Sequence, residues 1–184
     1  AVFVGLVANT LLLPLAVHVL VMMLGDDSAV AHLDPLTQLP NRRGFEQAIR
    51  PMLTGPRAES EISVILLDLD DFKRINDTLG HAAGDRVLMD VAGVIMNALP
   101  KGAVAARIGG EEFAILLPET SLDDAWAHAE RIRQSATRLS VMNGTASLSL
   151  TVSIGVAELG AGDSSIEPVL MRADSCLYRA KQEG

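Results

Sequence analysis

Residues 62–67 read Ile-Ser-Val-Ile-Leu-Leu and lead into Asp68-Leu69-Asp70-Asp71. A short, β-branched and almost unbroken apolar run is the pattern of a strand buried on both faces, which requires a sheet covered by helices on both sides. The surrounding sequence supplies those helices. Arg43 to Leu53 places Phe45, Ala48, Ile49, Met52 and Leu53 on one side before Gly55-Pro56 breaks the pattern. Asp85 to Leu99 carries Val87, Leu88, Val91, Ala92, Ile95 and Met96 at helical spacing. Ala103 to Ile108 and Phe113 to Leu117 predict two strands joined at Gly109-Gly110. Leu122, Ala125, Ala129, Ile132, Ala136 and Leu139 step by three or four, predicting an amphipathic helix. Leu148 to Val156 alternates apolar with small or polar residues, predicting one half-buried strand. Val169, Leu170, Ala173, Leu177 and Ala180 predict a last helix. The expected order is helix, strand, helix, strand, strand, helix, strand, helix. Such an order gives an α/β fold with helices packed on a central sheet.

Residues 1–24 contain no Asp, Glu, Lys or Arg, a length that suits a bilayer-spanning helix. Two other readings are open: a cleavable signal, against which the missing basic start argues, and a buried globular helix interrupted by Asn9, Pro14 and His18. The expectation is a transmembrane helix over residues 1–24, a linker over 25–33 and a catalytic domain over 34–184. A net charge of −8 argues against non-specific binding to nucleic acid. It leaves nucleotides open, because a local metal ion inverts the field around bound phosphates. The single cysteine, Cys176, excludes an intrachain disulfide.

Chemistry concentrates in two acidic segments. Asp68 closes the buried strand, where an α/β sheet opens to ligands. Its carboxylate is the hard oxygen donor that Mg²⁺ prefers, with phosphates and water completing the octahedron. For Asp70 and Asp71 an acidic helix cap is the competing explanation. The second segment is Arg107-Ile108-Gly109-Gly110-Glu111-Glu112-Phe113. Its glycines permit positive φ and leave room for a ligand. The two glutamates point to opposite faces if they begin a strand. A plain hairpin with an exposed Glu pair explains this segment equally well in isolation. Beside an acidic strand end it makes a two-metal carboxylate site.

Gly109-Gly110-Glu111-Glu112-Phe113 resembles the signature of the GGDEF-domain diguanylate cyclases in its Glu variant. The resemblance extends over Asp34-Pro35-Leu36-Thr37-Gln38-Leu39-Pro40-Asn41-Arg42-Arg43, similar to the D-x-L-T-x-L-x-N-R-R motif that opens such domains. It continues through Asp68 to Asp77, similar to D-x-D-x-F-K-x-x-N-D, and through Gly80-His81 and Gly84-Asp85. Val152 to Ala157 and Ala173 to Lys181 resemble the later strand and final helix.

The resemblance implies a central mixed, mainly antiparallel sheet flanked by helices, akin to nucleotidyl-cyclase and polymerase palms. It implies condensation of two GTP into cyclic di-GMP and two pyrophosphates, at two Mg²⁺ ions per domain, which Mn²⁺ can replace. It places Asp68, Glu111, Glu112 and the backbone carbonyl of Leu69 on the metals, with Glu111 also helping to deprotonate the attacking hydroxyl. Asn76 and Asp85 would read guanine. Phe72, through its backbone, and Lys73 and Lys181, through charge, would lie along the triphosphate, although a solvated helix face accounts equally for the two lysines. Gly109 and Gly110 would lie under the nucleotide, and Arg107 would face phosphate. Since one domain holds one GTP, the active state would be a homodimer. The expected location is a bacterial inner membrane, with residues 1–24 in the bilayer and the catalytic domain in the cytoplasm.

This chain departs from the family pattern at the inhibitory product site R-x-x-D, where it carries Pro100 and Ala103. The expectation is weak feedback through that surface. A second functional reading is a non-catalytic signalling domain that binds GTP or cyclic di-GMP.

Overall fold

The computed structural model describes residues 32–54, 61–143, 146–160, 163 and 165–183. Among them, the elements run α1 (Arg42–Thr54), β1 (Ile62–Leu69), α2 (Phe72–Leu79), α3 (His81–Ala98), β2 (Val104–Arg107), β3 (Glu112–Pro118), α4 (Leu122–Ala136), β4 (Ser140–Asn143), β5 (Ala146–Ser149), β6 (Val152–Glu158) and α5 (Glu167–Glu183). Residues 1–24 and most of the linker lie outside the described residues. Among the described residues no helix is long and apolar enough to cross a membrane.

Four strands form the central sheet in the order β2-β3-β1-β6, every neighbouring pair antiparallel. A parallel contact occurs at the isolated bridge between Asn41 and Arg107. Every residue of β1 is buried, as its apolar run demands. The strand's two-residue period divides it between two cores. Ile65, Leu67 and Leu69 pack with Phe72, Ile75, Val87, Val91 and Ala129, drawn from α2, α3 and α4. Ile62, Val64 and Leu66 pack with Phe45, Ile49, Val169, Ala173 and Leu177, drawn from α1 and α5. Each such side chain contributes about 1.5–3 kcal/mol by leaving water. The same period assigns Asp68 to the α5 face, and this decides its partner.

Three expectations change. The helix expected from Asp85 begins at His81, and α2 precedes it. Gly80, at φ +84°, separates the two helices and donates its N–H to Asn76 O. Only Phe72, Ile75 and Leu79 of α2 are buried, so its apolar signal is brief. The single strand expected over Leu148 to Val156 is two strands. β5 pairs with β4 in a separate two-stranded sheet, whereas β6 pairs with β1, and Leu150 between them turns into the core. The helix from Leu122 stops at Ala136, where the Thr137 N–H closes its last turn on Arg133 O.

Gly155 makes the close packing of α5 feasible. A Cβ there would collide with the backbone of Ala173 and Leu177. Backbone cannot yield as a flexible side chain can, so Gly155→Ala is expected to destabilise the domain by about 1–3 kcal/mol. Urea unfolding followed by circular dichroism measures this, with Gly93→Ala as control, since a Cβ at that helical position meets nothing within 4 Å.

Candidate active site

The first fixed point is Asp68, only 5% exposed and the only buried charged residue among those described. An unpaired carboxylate in such a position is strongly disfavoured. Lys181, in the last turn of α5, answers it with Nζ 2.8 Å from Asp68 Oδ1.

Glu111 reaches the same place from the loop before β3. The Leu69 N–H donates to Glu111 O at 3.2 Å, holding that loop against the end of β1. Asp68, Leu69, Asp70, Asp71, Glu111, Thr151, Ser153 and Lys181 line one open cavity of about 390 Å³. The Leu69 side chain belongs to the core, so Leu69 offers this cavity its backbone. Burial, and next the charge of Asp68, push the Glu111 carboxyl above its ordinary range; Lys181 opposes the shift and Glu112 adds to it. Burial would depress the Lys181 amine, but its hydrogen bond to Asp68 and the nearby Asp68, Glu111 and Asp70 charges hold it above its usual value.

Two neighbours of the site were not anticipated. Ser153 donates its hydroxyl to Asp70 Oδ1 at 2.6 Å, and the Asp70 N–H donates to Thr151 O at 3.0 Å. Together they fix the turn after β1. The alternation of residues 148–156 marked both as the non-core side of a strand, but only the pairing of β6 with β1, which sets Ser153 opposite Asp68, brings them to the acids. Asp71 occupies the N-cap position of α2 at φ +52°, as the acidic-cap reading expects, although its side chain makes no cap hydrogen bond. Its ion pair with Arg74, at 3.7 Å and largely exposed, contributes little.

The remaining expected residues divide. Phe72 opens α2 beside the acidic turn with its ring buried, and its backbone N–H is among those a helix start leaves without an internal partner. Lys73, next along α2, is exposed and does not line the cavity. The Asn76 amide fills the space over Gly84 that a Cβ would need, and Asp85, the next residue of α3, is exposed.

The glycine turn holds the other expected residues. Glu112 stands opposite Asp68 in register, yet it lines a different cavity with Arg42, Ile108, Phe113 and Asp174. Its carboxylate folds over Gly109, taking the space expected beneath a nucleotide, whereas Gly110 is open. Neither glycine has positive φ; among the described glycines that conformation occurs in Gly80 and Gly102. Arg107 does not face the phosphate cavity. Its guanidinium spans both oxygens of Asp34, at 3.1 and 3.2 Å, and donates to Gly110 O at 2.7 Å.

The donor set fits a hard cation. Two carboxylates converge with a backbone segment, the Asp68 carboxylate already holds a positive group, and Glu111 carries the strain of excess negative charge. Among the described residues no three His, Cys, Asp or Glu side chains cluster as a self-sufficient metal cage. That is the partial ligation typical of Mg²⁺ sites completed by substrate phosphates and water.

Residues 31–184 match the family model described as diguanylate cyclase, GGDEF domain. The chain belongs to the GGDEF family. Among curated relatives, diguanylate cyclase A of Treponema denticola is 44% identical over 71% of this chain and 35% of its own length. Diguanylate cyclase DgcM of Escherichia coli is 42% identical over 84% of this chain and 37% of its own. The chain therefore spans little more than a third of the length of these relatives. Among solved structures, the GGDEF domain of DgcB from Caulobacter crescentus in complex with c-di-GMP is 35% identical, with a TM-score of 0.76 over 84% of this chain and 92% of that one. Diguanylate cyclase SiaD from Pseudomonas aeruginosa, in complex with its activator SiaC, is 37% identical, with a TM-score of 0.77 over 98% of this chain and 70% of that one.

Within this GGDEF domain Asp34 is the anchor of the glycine turn. Burial alone would raise its carboxyl, but hydrogen bonds from the Thr37 N–H and hydroxyl and from Arg107, with the Arg107 charge, hold it below the ordinary 3.8. A carboxylate with a depressed folded-state pKa adds stability that is complete above its unfolded value and vanishes as pH falls through the folded one. Asp34→Asn is therefore expected to lower stability by a constant amount near neutrality. The gap from wild type should close as pH drops below 3.8, measured by urea unfolding across a pH series.

Proposed function

We propose that this domain is a diguanylate cyclase that condenses two GTP into cyclic di-GMP, releasing two pyrophosphates. One observation carries the reading: Asp68 and Glu111 share a cavity with the Leu69 backbone at the end of the central strand, directly before the first turn of α2. A helix start carries positive partial charge and unpaired N–H groups, which suit phosphate. This polar cavity of about 390 Å³ suits a phosphate chain. Asn76 and Asp85 are not among its lining residues and are assigned to the base. A carboxylate at Asp85 can accept from the guanine N1–H and exocyclic amine, a donor pair that adenine lacks.

Mg²⁺ or Mn²⁺, held by Asp68, Glu111 and the Leu69 carbonyl, would supply neutralisation of phosphate charge and ease ionisation of the attacking hydroxyl. In each of two steps a 3′-oxygen bonds to the α-phosphorus of the other GTP, and the bond from that phosphorus to the bridging oxygen of pyrophosphate breaks. Glu111, made a stronger base by burial and by Asp68, suits receipt of the 3′-hydroxyl proton. Glu112 has no part in this step where it lies now, and Arg107 acts on the turn rather than on phosphate. Each GTP supplies the other's nucleophile, so two domains meet face to face as a homodimer. Residues 1–24 tether the pair to the inner membrane of a bacterium, with the catalytic domain in the cytoplasm.

Purified protein incubated with GTP and Mg²⁺ should yield cyclic di-GMP, identified by mass spectrometry. Changes behind a metal ligand already cost roughly 10–100-fold, so Asp68→Asn and Glu111→Gln should each lose more than about a hundredfold in rate while keeping the fold. Retention of most activity by either variant excludes it from the ligand set. Asp85→Ala should weaken GTP binding by about 1.5–3 kcal/mol, the range for a hydrogen bond to a charged group. Asp85→Ser should admit some ATP, seen as adenine-containing product.

A further inference from the structure

Lys181 occupies a position that its neighbours make hard to keep. The cavity is lined by Asp68, Asp70, Asp71 and Glu111, and Lys181 is its one basic side chain among the described residues. Its Nζ is 2.8 Å from Asp68 Oδ1, the least exposed carboxylate of the group. A cation therefore already stands on the carboxylate that a divalent ion would need. A divalent ion arriving at Asp68 repels the ammonium group at short range, and the stronger charge of the metal weakens the lysine's hold.

The amine is free to leave. Lys181 lies in the last turn of α5, its side chain is 41% exposed, and it ends a flexible stem of four carbons. Displaced from Asp68, it becomes an unpaired cation at the mouth of the cavity. Of the acids that remain, Glu111 is one the incoming metal engages, Asp70 accepts from Ser153 and Asp71 pairs with Arg74. The partner available to it is then an anion arriving with the metal, and in this cavity that is a phosphate oxygen.

We propose that Lys181 is an exchangeable counter-ion: it holds Asp68 in the metal-free domain, yields that carboxylate to the divalent cation, and transfers to the phosphate that arrives with it. This rests on the metal-dependent reading above and adds a thermodynamic consequence. The lysine makes the nucleotide-free site a poor metal binder and the metal-loaded site a better phosphate binder, so the two ligands favour each other's binding through one side chain. A domain built this way neutralises its buried carboxylate at rest without committing a metal to an empty site.

The test separates the two arms. Mn²⁺ affinity of the nucleotide-free chain is measured by electron paramagnetic resonance of free Mn²⁺ for wild type, Lys181→Met and Lys181→Arg. Pyrophosphate affinity of the Mg²⁺-saturated proteins is measured by calorimetry. Lys181→Met is expected to bind Mn²⁺ about tenfold more tightly and pyrophosphate about tenfold more weakly, within the usual 5–150-fold span of coupled sites. Lys181→Arg should stay near wild type in both. Opposite signs distinguish exchange from damage, since a misfolded site weakens both. Mn²⁺ affinity in Lys181→Met that equals or falls below wild type overturns the exchange and leaves the cyclase proposal standing. Failure of wild type to bind Mn²⁺ with or without nucleotide overturns the metal-dependent reading itself.

Discussion

The buried charge of Asp68 governs how the rest of the site is arranged. It ends a strand whose other residues are driven inward by the hydrophobic effect, so the carboxylate is carried to a depth where it must find a partner. The strand period puts it on the face covered by α5, and α5 reaches that face only because Gly155 lets its backbone settle on β6. Lys181 arrives at Asp68 as a result. The electrostatics of the cavity thus follow from the packing of α5 on one face of the sheet.

A second constraint steadies the glycine turn. Asp34 collects two hydrogen bonds from Thr37 and two from Arg107, and Arg107 in turn holds the Gly110 carbonyl one residue before Glu111. The Arg107 N–H also donates to Pro40 O. The segment from Leu33 to Asn41 is therefore tied to the turn that delivers Glu111, so movement of one is resisted by the other. This pair is mostly shielded from water, so loss of one partner leaves the other charge poorly solvated, unlike in the exposed Arg133–Glu130 pair on α4.

Much of this was legible in the residues. The burial of β1, the helical spacing of α3, α4 and α5, and the strands either side of Gly109-Gly110 all follow from apolar period. The resemblance over several motifs pointed to Asp68, Glu111 and Lys181, which the fold brings into one cavity. It also pointed to Asn76, whose amide lies over Gly84, and to the adjacent Asp85. What failed failed for identifiable reasons. A run of alternating residues from Leu148 to Val156 fits one strand or two equally well, because period reports which side is apolar and not which strand is the partner. The α2 helix, with three buried residues, gives too short a signal to register. Glycine offers freedom of φ without requiring its use, and at Gly109 the space a Cβ would take is filled by the Glu112 side chain.

The sequence by itself determined the class of fold, the donor chemistry and the family. Apolar spacing and acidic motifs are local properties, read one element at a time. Tertiary structure alone decided the partners: Lys181 on Asp68 across 112 intervening positions of chain order, Ser153 on Asp70, Asp34 on Arg107, and Glu112 turned away from the cavity that Asp68 lines. Those pairings depend on strand register and on which helix covers which face. Both are fixed by the simultaneous packing of the two cores on either side of β1, and no single stretch of sequence contains that information.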